Sequence, residues 1–454
     1  MPELAFADIA RLSALMDERI LDPVELTRLY LSRATGVGAP LNAYVALREK
    51  QALKEAGSAR ARALAGRRIG PLDGIPIALK DNIDVAGMPT TNGFGGPAPV
   101  AAFDAEVTVR LKKAGAVLLG KLNMHEGALG GTTDNPHHGR THNPHRLGYS
   151  PGGSSGGSGA AVAAGLCAAS LGTDTAGSIR LPASYCGVAG LKPSIDRVSL
   201  RGIVPLNRRL DNAGPLARSV DDIAILMSVL AEPSAPWRPT SAMQRLDGRT
   251  VCVLENFLRE DVVPEVAVSF ERALQLLEQL GARIEHKLLP GFRPEELRHA
   301  LFLMVEAGAA CEHAEIMDRQ SSRLSAGFIR CVEYGRRLSA TDLLRQDYRA
   351  AAAASEMRAC FAQADIIASP TTPQPAFDFA QEGLTNLNTF STLANITGCP
   401  AVSVPMGIGP TGLPHGLQLM GPLGSDELLL AMAAAFEAEA DIRPFPPAPF
   451  GIGI

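Results

Sequence analysis

Residues 151–182 read PGGSSGGSGAAVAAGLCAASLGTDTAGSIRLP, and no other stretch of the chain constrains it as strongly. Two small-residue loops, each carrying serine, flank an Ala/Gly-rich run. The first is Gly152-Gly153-Ser154-Ser155-Gly156-Gly157 and the second is Thr173-Asp174-Thr175-Ala176-Gly177-Ser178. Glycine adopts φ > 0 at little steric cost and lets backbone N–H groups come close to a ligand. Serine hydroxyls among such amides supply what acyl transfer needs, a nucleophile with an anion-stabilising cradle beside it. Gly/Ser segments also make turns and linkers, and pattern alone leaves both readings open. The segment is not low-complexity, however. Ala160–Ala169 reads as a compact apolar helix, and Ser178 is followed by Ile179, Arg180, Leu181 and Pro182.

On the N-terminal side, residues 5–19, 22–36 and 42–66 read as three helices, the second opened by Asp22 before Pro23. Ile75–Leu79 is a short apolar strand ending at Lys80. Thr108–Ala114 reads as helix and Ala116–Leu119 as strand. On the C-terminal side, Ser219 caps a helix over Val220–Leu230. A second alternating block starts at Arg249: strand Val251–Leu254, helix Val263–Leu280, strand Arg283–Leu288. Residues 295–360 carry a helical pattern without a strand candidate. Ile366–Ala368, Ala401–Val404 and Leu417–Leu419 return to strand, and the last helix opens at Glu427. Alternating helices and short apolar strands predict a layered α/β protein with a buried sheet. The expected organisation is one domain over 1–454, with a helical N-terminal region (1–66) and a helical elaboration (295–350) lining the substrate pocket.

Composition narrows the function classes. The chain has 454 residues, is 46% hydrophobic and 20% charged, and carries a net charge of −4, which describes a globular protein. Such a balance gives no global field for nucleic acid or an anionic membrane. The pairs Arg208-Arg209 and Arg336-Arg337 read as solvated faces. Seven cysteines, odd in number, scattered and without a CxxC pair, fit reduced thiols in the cytoplasm better than a disulfide framework. The opening MPELAFADIARLSALMDERI lacks the basic and apolar regions of a signal peptide. No run is long enough to span a bilayer.

Read together, Lys80, the GGSSGGSG loop and GTDTAGSIRLP resemble the amidase signature family. The resemblance covers about Gly70–Pro215 and extends more weakly over Asn395–Glu439. It implies an α/β/α sandwich around a large mixed sheet and hydrolysis of a C–N bond by a serine–cis-serine–lysine triad. By that resemblance the nucleophile maps to Ser178, the bridging serine to Ser154, behind a cis Gly153–Ser154 peptide, and the base to Lys80. A lysine leaving a buried strand loses its proton more easily, because desolvation disfavours the ammonium, and a neutral lysine can act as a general base. The bland alternative pairs Lys80 with Asp81 or Asp84 at a surface. Ser155 is expected to support by hydrogen bonding. The amides of Thr175, Ala176, Gly177 and Ser178 are the oxyanion-hole candidates. Ala176 stands where the family commonly has glycine, which puts a methyl group near the cradle. Asp174 and Arg180 are expected to hold the loop as an ion pair.

The histidines of NPHHGRTHNPHR (His137, His138, His142, His145), with His125 and Glu126 upstream, raise a metal reading. No HExxH or cysteine set supports it, and neither a metal nor a cofactor is expected. His125 is the one placed toward the pocket wall by the resemblance. The glycine loop lacks the Gly-Lys-Ser/Thr ending of a phosphate loop.

The expected function is therefore a metal-independent serine amidohydrolase. Its expected substrate is a small apolar or aryl amide, with carbamates as chemical relatives. This substrate class follows from Leu301, Phe302, Met304, Val305, Phe328 and Ile329 in the elaboration. The alternative within the family is the glutaminase subunit of a tRNA-dependent amidotransferase. The sequence leaves monomer and homodimer open, since apolar N-terminal helix faces could pair two copies or cover the sheet.

Overall fold

A computed structural model describes residues 2–232, 237, 243–258, 262–290, 292–381 and 384–451. The strands among the described residues number thirteen and are, in chain order, β1 (Tyr44–Leu47), β2 (Pro76–Lys80), β3 (Val117–Leu122), β4 (Asp134–Asn135), β5 (Gly139–Arg140), β6 (Ala169–Asp174), β7 (Ala189–Lys192), β8 (Asn212–Ala217), β9 (Thr250–Leu254), β10 (Arg283–Lys287), β11 (Ile366–Pro370), β12 (Ala401–Ile408) and β13 (Pro414–Met420). Eleven of them form one sheet in the order β1-β3-β2-β6-β8-β7-β12-β13-β11-β9-β10. β4 and β5 pair apart as a small hairpin.

The sheet is mixed. β3, β2 and β6 run parallel to one another, as do β11, β9 and β10. The strands between them are antiparallel. Every residue of β2, β3, β6 and β8 is buried. Strands covered on both faces read as nearly unbroken small or apolar runs, here PIALK and VLLGKL, because no side of the pleat meets water. The helices Gly156–Ala163 and Arg180–Cys186 pack on each other and on the sheet. The helices Val220–Leu230, Pro264–Gln279 and Asp426–Ala440 form a second packed group. The result is the α/β sandwich expected from the sequence.

Local sequence explains several boundaries. Asp22 Oδ1 accepts the Val24 N–H at 2.7 Å and Ser219 Oγ accepts the Asp222 N–H at 3.2 Å, each satisfying a helix-start donor. Other boundaries correct the sequence reading. The 42–66 helix is a strand, β1, followed by a helix over Glu49–Leu64. Asn42 in the left-handed region (φ 50) turns the chain, and Tyr44–Leu47 then finds the open edge of β3. Edge pairing outweighs helix propensity there, so the 1–66 region is not wholly helical. The 5–19 helix divides into a 3-10 turn, Pro2–Phe6, and a helix, Ile9–Asp17. Ile9, Leu12 and Met16 of that helix are buried in the main core, so this face covers the fold. The expected helix 160–169 starts earlier, at Gly156, and ends at Ala163, and β6 begins at Ala169. The 295–360 region holds helices Pro294–Glu312, Ala314–Gln320, Ala326–Arg337 and Ala340–Phe361.

Candidate active site

β2 and β6 are neighbours and parallel, so their C-terminal ends open on the same edge of the sheet. Ligands in α/β folds gather at such edges, where loops converge on strand ends. Lys80 is the last residue of β2 and is fully buried. Its Nζ donates to Ser154 Oγ at 2.7 Å and to Thr173 Oγ1 at 2.8 Å. Burial drives the Lys80 pKa down to about 7, partly offset by the charges of Asp174 and Asp211. The surface-pairing alternative fails on geometry: Asp81 pairs with Lys121 at 2.9 Å.

Ser154 and Ser155 precede the helix Gly156–Ala163, and the Gly153–Ser154 peptide is cis. Gly152 has φ +84, and a Cβ there would stand 2.8 Å from Pro182 N, so only glycine fits the approach. The two serine loops meet where Ser155 N donates to Ser178 O at 3.3 Å. Ser155 Oγ donates to Thr173 O at 3.1 Å, a supporting bond as expected. Ser178 is 8% exposed and lies on the floor of a cavity. Its hydroxyl makes no hydrogen bond to another described residue, so the step from Ser178 to Ser154 is open while the step from Ser154 to Lys80 is closed. Such bonds commonly tighten only with substrate.

The turn 175–178 is fixed from behind. Asp174, at the end of β6, pairs with Arg180 through two bonds of 3.0 Å, and both side chains are fully buried. Burial opposes the Asp174 charge, but Arg180, Lys192 and Asn395 outweigh it and hold the carboxyl well below the usual range. Arg180 also donates to Ser391 O at 3.0 Å, Gln418 Oε1 at 2.7 Å and Asn395 Oδ1 at 2.6 Å. The Ala176 carbonyl accepts from Ser391 Oγ at 2.8 Å and from Asn388 Nδ2.

One oxyanion-hole candidate is corrected. The Gly177 N–H donates to Asp174 Oδ1 at 2.7 Å, so it is committed to holding the turn. The amides of Thr175, Ala176 and Ser178 have no partner among the described residues, and all three residues line the cavity. Gly177 instead supplies its φ of +114, where a Cβ would also meet Leu181 Cδ1 at 2.5 Å. Ala176 does not require a positive φ, and its methyl group sits at the cavity wall.

The cavity holds about 440 Å³. The helix Pro294–Glu312 contributes Glu295, Arg298, His299, Phe302 and Val305, and other walls come from Leu129, Leu206, Leu387 and Asn388. Of the apolar residues expected there from sequence, Phe302 and Val305 line the cavity. Only the first helix of this region reaches the cavity among the described residues, whereas Leu301, Met304 and Phe328 are buried behind its wall, in the core cluster that also holds the cavity-lining Ala128, Ala176, Leu206 and Val305. Ile329 packs against that cluster. Sequence reading passed over the polar members of this face, yet Glu295, Arg298, His299 and Phe302 stand at i, i+3, i+4 and i+7, the spacing of one helical face. Thr173, Asp211, Asn388 and Ser391 were also missed. They are ordinary residue types whose roles depend on long-range contacts.

The histidines are dispersed. His137 Nε2 meets Glu126 Oε1 at 3.0 Å, and Glu126 also accepts the Ser325 N–H at 2.8 Å, docking the elaboration on the core. His138 Nε2 lies 3.0 Å from Phe94 O, and His145 Nε2 lies 3.0 Å from Cys186 O. Among the described residues no group of three His, Cys, Asp or Glu side chains could hold a metal ion. His125 lies behind the cavity wall at Gly130, its backbone N–H donates to Ser154 O at 3.0 Å, and desolvation pushes its pKa down to about 4. No helix among the described residues is long and apolar enough to cross a membrane.

A buried lysine bonded to a serine, a second serine lining a cavity and unpaired amides beside it are the parts of a hydrolase site on an α/β fold. The Amidase family profile matches residues 25–430. The chain belongs to the amidase signature family and is an amidase. It is 35% identical to the glutamyl-tRNA(Gln) amidotransferase A subunit of Synechococcus sp. (strain CC9311), over 92% of this chain and 94% of that one. Among solved structures it is similar to an amidase (33% identity, TM-score 0.88, 95% of this chain and 99% of that one). It is also similar to the native peptide amidase from Stenotrophomonas maltophilia (32% identity, TM-score 0.84, 97% and 98%).

Proposed function

We propose that the chain hydrolyses the side-chain amide of a small polar molecule, glutamine being the first to test, through an ester on Ser178. Neutral Lys80 draws a proton from Ser178 by way of Ser154 as Ser178 Oγ attacks the carbonyl carbon. The amides of Thr175, Ala176 and Ser178 receive the developing oxyanion. The C–N bond breaks, the proton returns through Ser154 to the nitrogen, and ammonia leaves. Water then attacks the ester, giving its proton to the same relay, and Ser178 is restored. The scheme needs no metal, because amides and relay supply the charge stabilisation and proton transfer.

The observation that carries the substrate reading is the cavity face of the helix Pro294–Glu312. Glu295, Arg298 and His299 lie within about one turn, offering both signs of charge for an α-ammonium and an α-carboxylate. Arg298 Nη1 is oriented by Thr389 Oγ1 at 2.7 Å. The likeness to amidotransferase A subunits supports the same reading, as does the alternative set out from sequence, in which ammonia passes to partner subunits. A specific observation favours the second reading, a small apolar or aryl amide or a carbamate: Phe302, Val305, Leu129, Leu206 and Leu387 line the same cavity. On either reading we treat 1–454 as one catalytic unit, supported by a sheet that draws strands from Tyr44 to Met420, and we place it in the cytoplasm as the scattered cysteines suggest.

The test is a kcat/KM panel of glutamine, a short aliphatic amide, an anilide and an aryl carbamate, with and without amidotransferase partner subunits. Glutamine should lead, and further so with partners present. A preference for the anilide or carbamate, unchanged by partners, overturns the glutamine reading and leaves the amidase chemistry in place.

A further inference from the structure

Behind the turn 175–178 lies a second cavity of about 200 Å³, lined by Asn82, Thr173, Thr175, Leu206 and Asp211 among others. Asp211 is buried, 7% exposed. Its Oδ1 accepts from Thr175 Oγ1 at 2.6 Å, and its Oδ2 accepts the N–H groups of Leu206 at 2.9 Å and Asn207 at 3.1 Å. Asn207 Nδ2 in turn donates to Met304 O at 2.7 Å. The contact with the helix Pro294–Glu312 is close, since a Cβ on Gly308 would stand 2.6 Å from Asn207 Nδ2. A single carboxylate thus joins the residue that opens the oxyanion turn, a turn that walls both cavities, and the helix that faces substrate.

We propose that Asp211 is a positioning residue for the amidase reaction: through Thr175 it sets the direction of the oxyanion-binding amides, and through Asn207 it holds the substrate-facing helix in register with them. The proposal rests on the Ser178 acyl-enzyme reading given above. The geometry explains why a carboxylate is needed. Two backbone N–H groups and one hydroxyl from two segments converge on it, and a carboxyl has an oxygen for each segment. Burial pushes the Asp211 pKa up to about 6, while its hydrogen bonds oppose the rise, so it is mainly charged at neutral pH. The charged groups acting on Lys80 are Asp174 and Asp211. Removing the Asp211 charge therefore lowers the Lys80 pKa, and the acid limb of the rate profile moves to lower pH.

The experiment compares wild type, Thr175→Val, Thr175→Ser and Asp211→Asn, each checked for folding by circular dichroism and melting. A misplaced catalytic group costs on the order of 10²-fold, so Thr175→Val should lower kcat by about 10- to 100-fold with KM nearly unchanged, and Thr175→Ser should restore most of it. Asp211→Asn should lower kcat and shift the acid limb downward. Folded Thr175→Val with wild-type kcat, or folded Asp211→Asn with an unmoved acid limb, overturns the proposal. If Asp211→Asn does not fold, the Thr175 pair alone decides. Labelling of wild type by a serine-directed phosphonate, mapped to Ser178, keeps the two readings apart: without it the acyl-enzyme reading fails, and with it a negative result falls on Asp211 alone.

Discussion

From Pro151 to Gly190 every residue is buried, and nearly all are small or tied into hydrogen bonds. Along the cavity face of the helix Pro294–Glu312, Glu295 and His299 are exposed and Arg298 and Phe302 are half-buried. Residues of both regions line one cavity. The first offers backbone amides and hydroxyls, with the desolvated amine of Lys80 reaching it from β2, and a shift of any of them disturbs the others. The second offers long side chains on a helix whose fold is set by its other, core-packed face. On the function proposed above, chemistry belongs to the closely packed region and substrate choice to the more exposed one. This contrast suits a family in which one reaction is turned on different amides: the reacting atoms need positions held to fractions of an ångström, while side-chain pockets discriminate by small increments.

The comparison breaks most directly at Ser178, the proposed nucleophile. Ser178→Ala deletes one hydroxyl from a turn held by Asp174, Ser391 and Asn388, so turnover and phosphonate labelling should vanish with the melting temperature nearly unchanged. An adduct mapped elsewhere, with the variant still active, would remove Ser178 from the reaction.

The next largest effect is expected at the base. Lys80→Ala should cost about 10²–10⁴-fold in kcat, the usual range for a general acid–base group. Lys80 must be neutral to accept a proton, and its pKa is lowered to about 7. Wild-type activity should thus fall as pH drops below 7, while far-UV circular dichroism shows the fold intact. A flat profile between pH 5 and 8 would contradict the assignment.

The ion pair behind the turn tests stability rather than chemistry. Arg180→Ala leaves the Asp174 charge buried without its partner, and breaking such a pair costs about 3–5 kcal/mol. Urea denaturation should show that loss, whereas Arg336→Ala, which removes a surface pairing with Asp318, should stay within about 1 kcal/mol. Equal effects would erase the contrast between the buried core and the exposed elaboration.

The smallest effects belong to the substrate wall. Arg298→Ala should raise KM for glutamine more than it lowers kcat, and Phe302→Ala should weaken the anilide by the roughly 10- to 200-fold that a small apolar contact is worth. A collapse of kcat for every substrate would mean that this helix takes part in the chemistry and that the division of labour is wrong.

Much of the core was legible from the sequence. The sheet-edge lysine, both serine loops and the Asp174–Arg180 pairing lie in one short motif system, and small residues leave few conformations for such loops. The Gly177 amide was misassigned because a sequence does not show which N–H a carboxylate claims. The elaboration was legible as helix but not as wall. Its apolar residues read as pocket lining, and Phe302 and Val305 are, yet Leu301, Met304 and Phe328 face the core, and the cavity also receives the polar Glu295, Arg298 and His299. The strand Tyr44–Leu47 reads as helix because its partner, β3, lies far along the chain at Val117–Leu122.

By itself, the sequence determined what depends on residue type and close spacing: the α/β class, the family, the serine loops and the lysine that ends a buried strand. Tertiary structure decided what depends on partners far along the chain: which amides are free, which face of the helix Pro294–Glu312 lines the cavity, and that Asp211 joins Thr175 to the turn at Asn207. The physical reason is that motifs are local, whereas hydrogen-bond satisfaction and burial are properties of the whole packed chain. Each buried donor must find an acceptor, and which acceptor it finds is fixed only when the sheet has brought distant segments together.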